Sequence, residues 1–222
     1  MTSPTPPETP DRSRELRAAG TAAGTQLEQR HQAREITLPL CRRAIRASAL
    51  AIRAVHRGDV DDARSRIHDA ATFLAEASAA TEHHPGVRDA GYVHDAQKEY
   101  AEASLTLAYV DHEAAPSAAE LGVDVPAYLN GMAEAASELR RQVLDRLRAG
   151  DAAEAQTLFV VMDQVYDLLV TIDYPDALTG GLRRSTDALR AVLERTRGDI
   201  TNAVVLSRFD HSVAQAPSRT SP

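Results

Sequence analysis

The sequence predicts an all-α protein, an antiparallel bundle of six to seven helices. Three observations carry this. Aromatic residues make up 4% of the chain and tryptophan is absent, while alanine and leucine lead the apolar set. That composition suits helices packed through small side chains better than strands, which favour β-branched and aromatic residues. No stretch alternates apolar and polar residues as a half-buried strand does. Lastly, HRGD at 56–59 and RAGD at 148–151 repeat one device: a glycine suited to ending a helix, then an aspartate suited to capping the next. Two such tight turns imply antiparallel neighbours.

The elements follow in order. Residues 1–10 hold four prolines and read as a disordered tail, because they bury too little apolar surface to offset their ordering. A single all-α domain is expected over 11–211, and a second disordered tail over 212–222 (SVAQAPSRTSP). Helical pattern runs from about Asp11 to Arg57, weakened near Gly20 and Gly24. A second helix spans about Val60–Glu82 and stops at His84-Pro85; a third covers about Gly91–His112. After the polar loop APSAAELGVDVP come helices over about Pro126–Ala149, Ala152–Asp173 and Leu182–Arg208.

Several function classes find no support. A single cysteine, Cys41, allows no intrachain disulfide and no cysteine-rich zinc site, so a reduced, cytoplasmic setting is expected. No apolar run approaches the roughly 18 residues of a membrane span, and MTSPTPPETPD lacks the basic and apolar regions of a secretory signal. The net charge of −7 argues mildly against indiscriminate nucleic-acid binding by the whole surface, without excluding a local basic patch. His56, His83, His84, His94 and His112 are scattered with no HExxH pair, and neither a phosphate-binding glycine loop nor a nucleophile elbow is present.

Two patterns carry candidate chemistry. At 100° per residue Arg42, Arg46, Arg53 and Arg57 share an arc of about 60°. Leu38, Cys41, Ile45, Ala49, Ile52 and Val55 are expected in the adjoining arc as core. The stripe could track phosphates, since guanidinium forks match phosphate oxygens, or be a solvated face. Arg183, Asp187, Arg190, Glu194 and Arg197 alternate in sign on one face of the last helix and read as a self-compensating ladder. The second pattern is acidic. Glu99 and Glu102 share a helix face, as do Glu134 and Glu138, although like charges one turn apart destabilise a helix by about 0.2–0.5 kcal/mol. Asp95 could join them, and Lys98 with Arg140 or Arg141 could neutralise part of the charge. Small neighbours (Ala101, Ala103, Ala133, Ala135, Ala136) would let the two helices approach until the carboxylates converge on a hard cation. From the residues alone, a wet face explains both glutamate pairs as well.

HRGD at 56–59, GYVHDAQKEYAEA at 91–103, YLNGMAEAASELRR at 128–141 and YDLLVTIDYPDALTGGLRRSTDALRAVLERTRGD at 166–199 resemble the translin family in its archaeal form, over roughly residues 30–205. The resemblance implies an all-α subunit of a hollow homo-oligomer, an octamer, that binds single-stranded RNA or DNA on its inner surface. It further implies the Mg²⁺-dependent endoribonuclease site of the Trax branch, with E-x-x-E on one helix and D/E-x-x-x-E on another. Glu99 and Glu102 match the first half; Glu134 and Glu138 match the second, with Glu134 where Trax usually has aspartate. Translin itself carries basic and aromatic residues in the segment matching 91–103, which sets this chain on the Trax side. The implied function is single-stranded RNA binding with endonucleolytic cleavage, the four glutamates holding Mg²⁺ or Mn²⁺ and Arg42, Arg46, Arg53 and Arg57 holding phosphates. A binding shell without catalysis stays open as the alternative.

Overall fold

The computed structural model of the chain describes the backbone of residues 12–214 and the side chains of residues 12–206. Among the described residues there are nine helices and no strand. Six are long: α1 (Arg12–Arg57), α2 (Val60–Thr81), α4 (Gly91–Val110), α6 (Val125–Arg148), α7 (Ala152–Leu169) and α9 (Leu182–Ala214). Three are single turns: α3 (Pro85–Arg88), α5 (Ala118–Leu121) and α8 (Asp176–Thr179). The single turns escape a sequence reading because four residues are too few to display a 3.6-residue period. The tail expected over 1–10 lies outside the described residues; α9 runs past its expected end at Arg208 and takes in 212–214 of the second tail, the rest of which lies outside them.

Both glycine–aspartate turns form as their chemistry predicts. Gly58 and Gly150 take φ of 75° and 80°, the left-handed region that costs glycine nothing. Gly58 and Asp59 donate their backbone N–H groups to Val55 and Ala54, satisfying the last carbonyls of α1. Asp59 then accepts from the Asp62 N–H, and Asp151 from the Glu154 N–H, which caps α2 and α7. Other boundaries differ from the sequence expectation. The third long helix ends at Val110 rather than His112, because His112 turns left-handed at φ 54°. α7 ends at Leu169 rather than Asp173: the Thr171 hydroxyl and backbone N–H both take the Leu168 carbonyl. α1 passes unbroken through Gly20, Gly24 and Pro39; alanine-rich surroundings support the glycines, and buried Thr37, Leu40 and Cys41 pin the proline's turn.

Packing joins the helices into two large apolar clusters, with two small ones between α1, α2 and α4. α1 and α2 pack on each other and, with α4, enclose Leu40, Cys41, Ala44, Ala70, Ala96 and Tyr100. α6, α7 and α9 enclose the larger cluster, including Leu139, Val143, Leu158, Met162, Leu189 and Leu193. The seam between them is the contact of α4 with α6, where Tyr128 touches both clusters. Among the described residues no helix is long and apolar enough to cross a membrane.

The seam is unusually close at Gly131. A Cβ added there would lie 2.6 Å from the Lys98 carbonyl oxygen, 2.9 Å from Ala101 Cβ and 3.0 Å from the Glu102 nitrogen. Backbone therefore lies against backbone, and Ala101, Ala103, Ala133, Ala135 and Ala136, all buried, leave room for it. Gly131→Ala is expected to lower unfolding free energy by about 1–3 kcal/mol in urea titrations, as overpacking does. Gly198→Ala, in α9 with open space around it, should instead raise stability by up to about 1 kcal/mol.

Candidate metal and nucleic-acid site

The approach at Gly131 decides which side chains meet. Glu134 follows Gly131 by about one turn of α6 and Glu138 by two, while Glu99 and Glu102 stand on the apposed stretch of α4. One carboxylate oxygen from each of Glu99, Glu102 and Glu134 lies within 4.8 Å of the others. Glu102 is 7% exposed, at the floor of the group, and Glu99 and Glu134 form its more open rim. Asp95 is exposed and outside the group.

The fourth glutamate is placed differently. Glu138 Oε2 lies 2.7 Å from His56 Nε2, at the end of α1. The other ring nitrogen, Nδ1, is 3.3 Å from Gln142 Nε2, which also donates to the Val55 carbonyl at 3.4 Å. With Gln142 donating to Nδ1, His56 presents its Nε2–H to Glu138 and orients that carboxylate. His56 stood among the scattered histidines in the sequence. It is 82 residues from Glu138, so no spacing could have linked them.

The electrostatics are those of crowded carboxylates. Burial first, and then the charges of Glu134, Glu99 and Glu138, push the Glu102 carboxyl from its ordinary 4.5 to about 9. Lys98 answers part of the charge: its Nζ lies 2.8 Å from both oxygens of Glu134 and 3.4 Å from Glu99 Oε1. Burial alone would lower the Lys98 ammonium, but Glu134 and then Glu99 outweigh it and the net shift is upward. Arg140 is committed elsewhere, to Asp199 at 2.7 Å and Thr196 at 2.9 Å, tying α6 to α9. The donor set is all oxygen, converges from two rigid helices and carries excess negative charge, which fits a hard divalent cation.

The arginine stripe is exposed as a phosphate surface requires, but it stands differently from the sequence expectation. Of the expected core arc Cys41, Ile52 and Val55 are buried, while Leu38, Ile45 and Ala49 are only partly so; α1 also buries Ala33, Thr37, Ala44, Ala47, Ala51 and Ala54. The core arc is thereby rotated, and Arg42, Arg46, Arg53 and Arg57 lie roughly opposite it rather than on its border. Arg57 pairs with Asp62; Arg42, Arg46 and Arg53 have no ion-pair partner among the described residues. On α9, Arg183 and Arg197 reach Asp173 and Asp163 on other elements, so these two serve contacts between elements rather than a ladder within the helix. Beside Glu138, an open groove of about 580 Å³ is lined in part by Arg140, Arg141 and Arg148.

An all-α chain with a carboxylate cluster between two helices and exposed arginines on a third can be set beside known proteins. No family model matches the chain. An uncharacterised protein of Methanocaldococcus jannaschii is 30% identical over 181 residues, 80% of this chain and 79% of that one. Among solved structures, AfC3PO is 31% identical with a TM-score of 0.77, over 84% of this chain and 97% of its own. The structure of AfC3PO in complex with duplex RNA matches at 0.76, again with 31% identity, over 84% of this chain and 96% of its own. Apo-NeC3PO, 19% identical, matches at 0.73 over 89% of this chain and 100% of its own, and bears on the fold alone. The chain belongs to the translin family, in its archaeal translin/Trax-like C3PO branch.

Because Glu102 binds its proton more tightly folded than unfolded, it contributes stability at acid pH that is lost as pH rises from about 4.5 to about 9. Glu102→Gln removes that loss. The variant is expected to melt above the wild type at pH 8 in EDTA, by about 2–4 °C per kcal/mol, with the gap closing towards pH 4. Thermal unfolding across that pH range checks it; a gap independent of pH would refute it.

Proposed function

We propose that this protein binds RNA and cleaves it at the cluster of Glu99, Glu102, Glu134 and Glu138 with Mg²⁺ or Mn²⁺. The observation that carries the reading is the convergence of three carboxylates from α4 and α6 in a chain 31% identical to AfC3PO, a protein solved on RNA. Glu99, Glu102 and Glu134 would hold the ion, Glu102 giving up its proton as it binds. The ion would supply charge stabilisation at the scissile phosphate and a more acidic water. Glu138, outside the trio and oriented by His56, would accept the proton of the attacking water. That water's oxygen would bond to phosphorus as one bridging phosphorus–oxygen bond breaks, the departing oxygen taking a proton from solvent. Arg42, Arg46, Arg53 and Arg57 would hold the strand by its phosphates without reading its sequence.

Single-stranded RNA is the proposed substrate, with single-stranded DNA as a second ligand. AfC3PO was solved with duplex RNA, so an assay needs both strand states. The working form would be a homo-oligomer, an octamer with the RNA inside, in the reducing cytoplasm where buried Cys41 stays a thiol. One observation favours a second reading, a binding shell without catalysis: Lys98 already neutralises part of the cluster from within.

Labelled single-stranded and duplex RNA, incubated with Mg²⁺, Mn²⁺ or EDTA, separates the readings. Metal-dependent cleavage is expected, reduced about 10²-fold or more in Glu134→Ala and Glu138→Gln, with RNA affinity kept within about twofold. Binding without cleavage under either metal would leave the non-catalytic shell. Replacing Arg42, Arg46 and Arg53 by alanine should weaken binding and flatten its salt dependence by about one unit of slope for each phosphate no longer neutralised. An unchanged slope would remove the stripe from the interface.

A further inference from the structure

The chain contains one lysine, and that lysine stands inside the carboxylate cluster. The Lys98 ammonium is equidistant, at 2.8 Å, from the two oxygens of Glu134, and 3.4 Å from Glu99 Oε1. An ammonium placed evenly between both oxygens of a carboxylate sits where a chelating cation would stand. Glu134 and Glu99 are also two of the three residues whose oxygens converge. The position is held from below. The Lys98 backbone carbonyl lies against Gly131 at the tightest point of the α4–α6 seam, and its side chain is 20% exposed. Such a side chain has a short way out to solvent but a fixed root.

We infer that Lys98 is a built-in counter-ion that competes with the divalent cation, so that Mg²⁺ or Mn²⁺ enters only as the ammonium leaves Glu134 and Glu99. This rests on the metal site proposed above and adds its regulation. Without metal, the ammonium offsets the repulsion between carboxylates that Gly131 forces together. With metal, the ion and the ammonium would repel each other across the same oxygens, so binding the ion would favour departure of the lysine. Metal affinity is thereby set lower than the carboxylates alone would give. The metal-free protein keeps an ordered site rather than a strained one.

The test uses Mn²⁺ as the probe and the full-length protein. In isothermal titration calorimetry at pH 8, Lys98→Met is expected to lower the Mn²⁺ dissociation constant about tenfold or more relative to wild type. The same substitution in a Glu134→Ala background should change nothing, which sets aside binding by other surface carboxylates. A second arm needs no variant: acetylation of Lys98 by an amine-reactive ester, read by peptide mass spectrometry, is expected to accelerate when Mn²⁺ saturates the wild type. Mn²⁺ binding to Lys98→Met but not to wild type would be the strongest form of the result. If wild type binds Mn²⁺ with the dissociation constant of Lys98→Met and an unchanged acetylation rate, Lys98 is a bystander: this inference fails and the metal site stands. If neither binds Mn²⁺, the metal site itself fails and takes the inference with it.

Discussion

Backbone-to-backbone contact between α4 and α6 at Gly131 is the constraint on which the site depends. With no Cβ at 131, α6 settles against the Lys98 carbonyl and the start of the Glu102 turn, and the buried alanines on both helices keep that distance along the seam. The close approach brings one carboxylate oxygen from each of Glu99, Glu102 and Glu134 within 4.8 Å of the others. The seam also joins the two large apolar clusters, so the geometry that gathers the carboxylates is the geometry that holds the domain together.

Gathering charge in this way has a cost, and the structure shows how it is met. Glu102, the most buried, keeps its proton to about pH 9, because burial and then its neighbours' charges oppose ionisation. Glu134 and Glu99 share the Lys98 ammonium, and Glu138 is turned to His56. The four carboxylates thus answer the same repulsion in three different ways. If the site binds a divalent ion as proposed, the ion would take the place of a proton and an ammonium rather than build new contacts. Affinity then depends on what the ion displaces as much as on what it touches.

The arginines show why exposure and pairing matter more than count. Of 25 lysine and arginine residues, many are committed: Arg140 to α9, Arg197 to Asp163 and the Phe159 ring, Arg43 to the Phe73 ring. Arg42, Arg46 and Arg53 have no ion-pair partner among the described residues, on the face of α1 turned from the core. A net charge of −7 is therefore compatible with a local basic strip.

The sequence by itself determined what depends on neighbours in the chain. The all-α class follows from composition and period, the two tight turns from glycine and aspartate in adjacent positions, and the pairing of glutamates on a helix face from intervals of three and four residues. The three short helices and the shifted ends of α4 and α7 escaped it, because single turns carry no period and a left-handed His112 or a hydroxyl at Thr171 leaves no pattern. Only the tertiary structure decided which faces meet. It set α4 against α6, turned Glu138 towards a histidine 82 residues away, drew Arg140 to Asp199 and rotated the core arc of α1 away from its arginines. Those outcomes belong to packing between distant segments, where volume and close approach choose among many faces that local periodicity leaves equivalent.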